Sequence, residues 1–148
     1  MIRRFGNSPK TGQRYQPRPG AYAILPRDER ILVTYQAAPH YEFQLPGGGI
    51  DPGESPIQAL HREVFEETGW RISTPRKLGV FRRFVYMPEY DMHAEKLCHI
   101  YIARPVLRLG NPTEDGHTDV WLDPLEAIAK LANDGDSEML AGWNDFLR

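Results

Sequence analysis

The chain of 148 residues contains a single cysteine, Cys98. One thiol makes no internal disulfide and cannot supply the cluster of a cysteine-based zinc site, and it fits a reducing, cytoplasmic setting. No apolar run approaches the roughly 20 residues of a membrane-spanning helix, so no membrane partner is expected. The opening residues MIRRFGNSPK are basic but lead into no apolar stretch, which argues against a secretory signal. Repeats of solenoid length are missing too. So is any overall excess of basic charge: the formal net charge is −2. The basic charge is nevertheless uneven. Arg3, Arg4, Lys10, Arg14 and Arg18 fall within residues 1–20 with no acid among them, leaving 13 basic and all 20 acidic groups to the remainder. An acidic body has little general affinity for nucleic acid, and the arm lacks the interleaved aromatics of single-strand binders. Residues 1–18 are therefore expected to form a basic, poorly ordered arm, and 19–148 one domain of ordinary size.

Ala21–Leu25 and Arg30–Tyr35 read as two strands around the turn PRDE. A short strand expected over Pro39–Gln44 leads into LPGGGIDPGE, which reads as loop because of its glycines and prolines. Ser55 then opens a helix as N-cap, with Pro56 at the first helical position and Gln58 completing a capping box. Gly69 is its natural stop, and Ile57, Leu60 and Val64 share the face expected to be buried. Further strands are expected over Lys77–Tyr86, Lys96–Arg104 and Asp119–Leu122, with a polar loop around Pro88–Glu95. Helices are expected over Asp123–Asn133 and Ser137–Leu147, the latter with a stripe including Trp143 that suits the core or a second subunit, so monomer and homodimer both stay open. Strands with a helix inserted after a glycine cluster indicate a layered α/β domain.

Three carboxylates on the first helix ask for a partner. Glu63, Glu66 and Glu67 lie at i, i+3 and i+4, on one face at about 100° per residue. Like charges so placed repel, and Glu66 and Glu67 sit near a helix C-terminus, where anions are disfavoured. A hard divalent cation such as Mg²⁺ or Mn²⁺ resolves the conflict, since it takes carboxylate oxygens, water and a substrate phosphate. The alternative is a solvated acidic surface. Arg62, four residues before Glu66, and Glu54, just ahead of the helix, favour the cation, because a guanidinium can hold carboxylates in a fork. The glycines let backbone approach a metal or phosphate.

The segment Gly48-x5-Glu54-x7-Arg62-Glu63-Val64-x-Glu66-Glu67-x-Gly69-Trp70 resembles the Nudix box of MutT-like hydrolases. Only Trp70 departs from the pattern, at a position where an aliphatic residue is usual. The resemblance implies an α/β/α sandwich with a mixed β-sheet in a single domain. It implies metal-assisted hydrolysis of a nucleoside diphosphate linked to a group X, a small nucleotide-derived molecule such as a nucleoside triphosphate or dinucleoside polyphosphate. Glu63, Glu66 and Glu67 would be metal ligands and catalytic groups, Arg62 and Glu54 would orient them, and the backbone carbonyl of Gly47 or Gly48 would complete the coordination. A further acid from a later loop is implied, for which Glu114 and Asp115 are candidates; their alternative is an ordinary solvated turn.

Substrate selection lies outside the box. Tyr86 follows it at a spacing resembling dinucleoside polyphosphate hydrolases of this family, whereas the proline of many ADP-ribose hydrolases is replaced by Val85. Arg82 and Arg83 are candidates for distal phosphates, though one of two adjacent strand residues normally faces solvent. Cys98 reads as a buried strand residue, His61 as packing and His93 as a solvated loop residue. The basic arm keeps an RNA 5′-end pyrophosphohydrolase open as an alternative, alongside a non-catalytic nucleotide-binding module.

Overall fold

A computed structural model describes residues 1–147. In chain order its elements are β1 (Arg3–Phe5), β2 (Gln16–Ile24), β3 (Pro26–Arg27), β4 (Arg30–Gln36), β5 (Glu42–Gln44), β6 (Gly47–Gly49), α1 (Pro56–Thr68), β7 (Trp70–Ile72), β8 (Arg76–Met87), β9 (Met92–Ile102), β10 (Pro105–Arg108), β11 (His117–Leu122), α2 (Pro124–Lys130) and α3 (Asp134–Phe146). Five strands form a mixed sheet in the order β1-β8-β9-β2-β6, with β1–β8 and β2–β9 parallel and the other neighbours antiparallel. An antiparallel sheet is built around β4 by β11, β3 and β5, and β7 pairs with β10.

Alternation along β2 sorts the core into two layers. Ala21 and Ala23 pack with Leu60 and Val64 of α1. Ile24, with Tyr22 against it, joins Phe81, Cys98 and Ile100 beneath Ala127 of α2 and Leu140 of α3. Helices thus cover both sides of the strands, which is the α/β/α sandwich the motif implied.

Three local expectations are corrected. Gly47–Gly49 do not form a loop but the strand β6, antiparallel to Gly20–Tyr22. Close approach explains the glycines: a Cβ on Gly47 would strike the Ala21 carbonyl, and one on Gly48 the Glu63 carboxylate. The polar segment Pro88–Glu95 contracts to a short 3-10 turn over Pro88–Tyr90, and His93 lies in β9 opposite Tyr86. The basic arm is held against the sheet. Its β1 runs alongside Phe81–Arg83, Phe5 meets Phe81 edge-on at 5.4 Å, and Tyr15 meets Phe84 at 4.9 Å.

The end of α3 that carries the site's far wall docks through Gly135, where a Cβ would enter the ring of Phe81, itself 1% exposed. Gly135→Ala gains at most about 1 kcal/mol of helix propensity but overpacks the core by about 1–3 kcal/mol. The expected result is a lower Tm; an unchanged or higher Tm in thermal unfolding would contradict this contact.

Candidate active site

The position of α1 follows from its ends and its buried face. Ser55 Oγ accepts from the Gln58 backbone N–H at 3.1 Å, and Gln58 Oε1 accepts from the Ser55 N–H at 2.9 Å. Gly69 closes the helix in the left-handed region at φ 78°. With Leu60 and Val64 fully buried, the rotation of the helix is set. Glu63 then lies against β6, and Glu67 reaches Gly47.

Arg62 ties the cluster together. Its Nε and Nη2 donate to both oxygens of Glu54 at 2.7 and 2.9 Å, its Nη1 to Glu63 at 2.9 Å, and its Nη2 to the Gly49 carbonyl at 3.2 Å. Glu66 lies 3.5 Å away. The Arg62 hydrogen bonds, helped by the Asp51 N–H, hold the Glu54 carboxyl down at about 2. Glu67 is only 5% exposed. Its Oε1 accepts from the Gly47 N–H at 2.9 Å, while Oε2 lies 3.6 Å from His117 Nε2. Burial pushes its proton affinity well up, the Gly47 N–H opposes this, and the neighbouring carboxylates add to it. Burial likewise raises Glu63 and Glu114.

The loop between β10 and β11 completes the cluster by capping the end of α1. The N–H groups of Thr113 and Glu114 donate to the Glu66 carbonyl at 2.8 and 2.9 Å, satisfying an orphan acceptor of the last turn. Glu114 is thereby fixed beside the helix acids. Ligand atoms of Glu63, Glu66 and Glu114 lie within 4.8 Å of one another, and so do those of Glu67, Glu114 and His117. The donors are mainly carboxylate oxygens, ranging from buried Glu67 through half-buried Glu63 and Glu66 to exposed Glu114, and they repel one another, which suits a hard divalent cation. Asp115 is exposed and belongs to neither group.

A cleft of about 390 Å³ opens from these acids, lined by β6, the β8–β9 hairpin and the start of α3. Arg83, Tyr86 and Val85 line it. Arg82, weighed equally with Arg83 from the sequence, points to the other face and pairs with Glu95 at 3.4 Å. Strand alternation separates the two. Tyr86 is at the rim, 49% exposed, with its hydroxyl donating to Asp91 at 2.6 Å. Gly47 contributes its N–H to Glu67. Cys98 is buried and its thiol pushed up to about 12 by that burial, so it is no nucleophile.

His117 was missed by sequence reasoning. Its Nδ1 lies 2.8 Å from Thr34 Oγ1, and Thr34 in turn approaches the Glu67 carbonyl at 3.5 Å. A histidine three residues after the loop acid was the available signal, but its meaning needed the pairing of β11 with β4.

The buried acids set a pH response. Glu63, Glu67, Glu114 and Asp136 are all raised by burial, Asp136 from 3.8 to about 6. Each binds its proton more tightly when folded, so without metal stability increases as pH falls through the raised values toward 3.8–4.5. His99 and His117, lowered by burial, act oppositely below 6.5, against Glu67, which burial raises well up, and Asp136 at about 6. Glu54 contributes stability above 4.5 that is lost as pH falls toward about 2. In EDTA the Tm should therefore be higher at pH 5.5 than at 7.5 and fall steeply in stronger acid. A lower Tm at pH 5.5 would contradict the burial of Glu67 and Asp136 as the dominant effect.

Fold and site define an α/β/α protein with a carboxylate-rich cleft at the edge of a glycine strand. The family model of the NUDIX domain matches residues 15–142, and the chain belongs to that family. It is 35% identical over 124 residues to the CMP-5'-(N-acetyl-N-hydroxy-3-aminopropyl)phosphonate hydrolase of Streptomyces rubellomurinus, covering 79% of this chain and 57% of that protein. It is 38% identical over 73 residues to a putative 8-oxo-dGTP diphosphatase of Bacillus subtilis, 49% of each. An RNA pyrophosphohydrolase of Pectobacterium atrosepticum is 39% identical over 71 residues, 48% of this chain and 39% of that one. The chain thus spans about half the length of the curated relatives it matches. A NUDIX hydrolase from Nitrosomonas europaea shares the fold at TM-score 0.74 and 21% identity, covering 90% of this chain and 92% of that one. A MutT NUDIX hydrolase from Burkholderia pseudomallei does so at 0.66 and 25%, over 85% and 97%. Proteins of this family generally use a divalent metal. Among the described residues no helix is long and apolar enough to cross a membrane.

Proposed function

We propose that the chain is a pyrophosphohydrolase that uses Mg²⁺, with Mn²⁺ as a substitute, to break a P–O–P bond in a nucleoside diphosphate linked to a group X. The observation that carries this reading is the convergence of Glu63, Glu66 and Glu114 beside the cleft, the first two held by Arg62. A bound divalent cation supplies positive charge to the phosphoryl oxygens and acidifies water. The chain's own residues do the rest. Glu63, Glu66, Glu67 and Glu114 hold the cation, Arg62 and Glu54 fix their directions, and the cleft takes the remainder of the substrate. One of the helix carboxylates takes the proton of the attacking water as general base. The names of the relatives, a nucleotide-phosphonate hydrolase, a diphosphatase and a pyrophosphohydrolase, support the same bond type.

The test is a panel of nucleotide-derived diphosphates with Mg²⁺, products read by mass. Nucleoside triphosphates or dinucleoside polyphosphates should show higher kcat/KM than ADP-ribose; a large preference for ADP-ribose would overturn that assignment of X. The basic arm and the resemblance to RNA pyrophosphohydrolases favour a second reading, a 5′-triphosphorylated RNA. That reading predicts RNA turnover that falls steeply with salt and on replacing Arg4, Lys10 and Arg14 by Gln.

A further inference from the structure

Three cations stand in a row across three neighbouring strands. Arg18 of β2 is in register with Lys96 of β9, and Lys96 with Arg83 of β8. Their side chains rise from one sheet face at strand spacings of about 4.8 Å, and all three line the cleft. Like charges directly opposite on a sheet are destabilising, and the half-burial of each side chain weakens screening by water.

The nearby anions are committed elsewhere. Glu95 pairs with Arg82 on the other face, and Glu89 with His40. Asp136 accepts from the Leu45 N–H at 3.5 Å and, forming no ion pair with the row, attracts Arg83 and Lys96 only through space. Among the described residues no carboxylate lies within ion-pairing distance of Arg18, Lys96 or Arg83, and the Arg18 guanidinium sits over the Tyr90 ring at 5.2 Å. Burial and Arg83 together push the Lys96 ammonium toward losing its proton. Repulsion within such a row disfavours the empty fold, and a bound anion would relieve it.

The row begins one strand away from the acids. β6 is the sheet edge next to β2. A Cβ on Gly48 would meet the Glu63 carboxylate, and one on Gly49 would lie 3.9 Å from Arg18 Nη2. Carboxylates and cations therefore flank a single glycine strand, and the cleft connects them.

We propose that Arg18, Lys96 and Arg83 form a subsite for a phosphoryl group of the substrate lying beyond the bond that is cleaved. This rests on the hydrolytic reading of the acidic cluster and makes X a phosphate-bearing group, such as the remaining chain of a nucleotide polyphosphate, in place of a neutral sugar. Glutamates at the far end would repel such a chain; guanidinium forks and an ammonium hold it by charge-assisted hydrogen bonds.

Two measurements test it. In excess EDTA, inorganic tripolyphosphate should raise the Tm of the protein in a salt-dependent way, and this rise should vanish in the double variant Arg83→Gln, Lys96→Gln, whose own Tm without ligand is the folding control. With Mg²⁺, the same variant should show a KM for a nucleoside triphosphate raised about tenfold to hundredfold relative to its KM for ADP-ribose. An equal tripolyphosphate shift in variant and parent, or an equal rise of KM for both substrates, would overturn the subsite. Tripolyphosphate binding without hydrolysis of any nucleotide would instead overturn the reading of the acidic cluster, so the two failures are distinguishable.

Discussion

Glu67→Gln should lower the rate of P–O–P cleavage on the order of 10²–10³-fold while leaving the fold intact. Glu67 is 5% exposed, so the replacement must fit the same space, and glutamine is isosteric. A glutamine oxygen still accepts from the Gly47 N–H, and its amide can face His117 Nε2, so the local hydrogen bonds survive. The change removes a charge whose burial and neighbours Glu63, Glu114 and Glu66 are all unfavourable. The metal-free Tm should therefore stay level or rise. With less cation held by the folded state, the rise in Tm caused by Mg²⁺ should shrink. A Tm lower by many degrees, with activity per folded molecule retained, would mean that the helix acids serve the fold and not the chemistry.

Arg62→Lys should weaken the apparent Mg²⁺ affinity by about 10–100-fold, the usual cost of losing a residue that orients metal ligands. Arg62 reaches Glu54 with two nitrogens, Glu63 with a third contact and the Gly49 carbonyl with a fourth. A lysine keeps the charge but offers one compact ammonium, which cannot span a loop carboxylate, a helix carboxylate and a strand carbonyl together. Glu54, released from the fork, should titrate well above its present value of about 2. The Mg²⁺ dependence of both initial rate and Tm measures the effect. An unchanged midpoint would show that the carboxylates keep their positions without the fork.

The parts that were legible from the sequence are those encoded locally. The caps of α1, Ser55, Pro56, Gln58 and Gly69, sit within a residue or two of the helix ends they define, and the spacing of Leu60 and Val64 fixed which side of the helix faced the core. The helix acids followed from that same spacing. What depended on pairing was not legible. β6 has no side chains to show alternation, so its glycines read as loop although they make room for Glu63 and for β2. Glu114 was one of two adjacent candidates until the Glu66 carbonyl was seen to take both the Thr113 and Glu114 N–H groups. His117 and Thr34 meet only because β11 lies against β4. The cation row is the extreme case: Arg18, Arg83 and Lys96 are far apart in sequence and become neighbours through a parallel and an antiparallel register. Alternation announced that only one of Arg82 and Arg83 would face the cleft, but not which.

The central claim is that the carboxylate cluster holds a divalent cation that directs water onto phosphorus. Turnover of the best substrate in ¹⁸O-labelled water, with Mg²⁺ and with excess EDTA, tests it most directly, the products being read by mass. The account predicts one ¹⁸O atom in a phosphorus-containing product when Mg²⁺ is present and no turnover in EDTA. Full turnover in EDTA, or label carried by carbon in place of phosphorus, would contradict it.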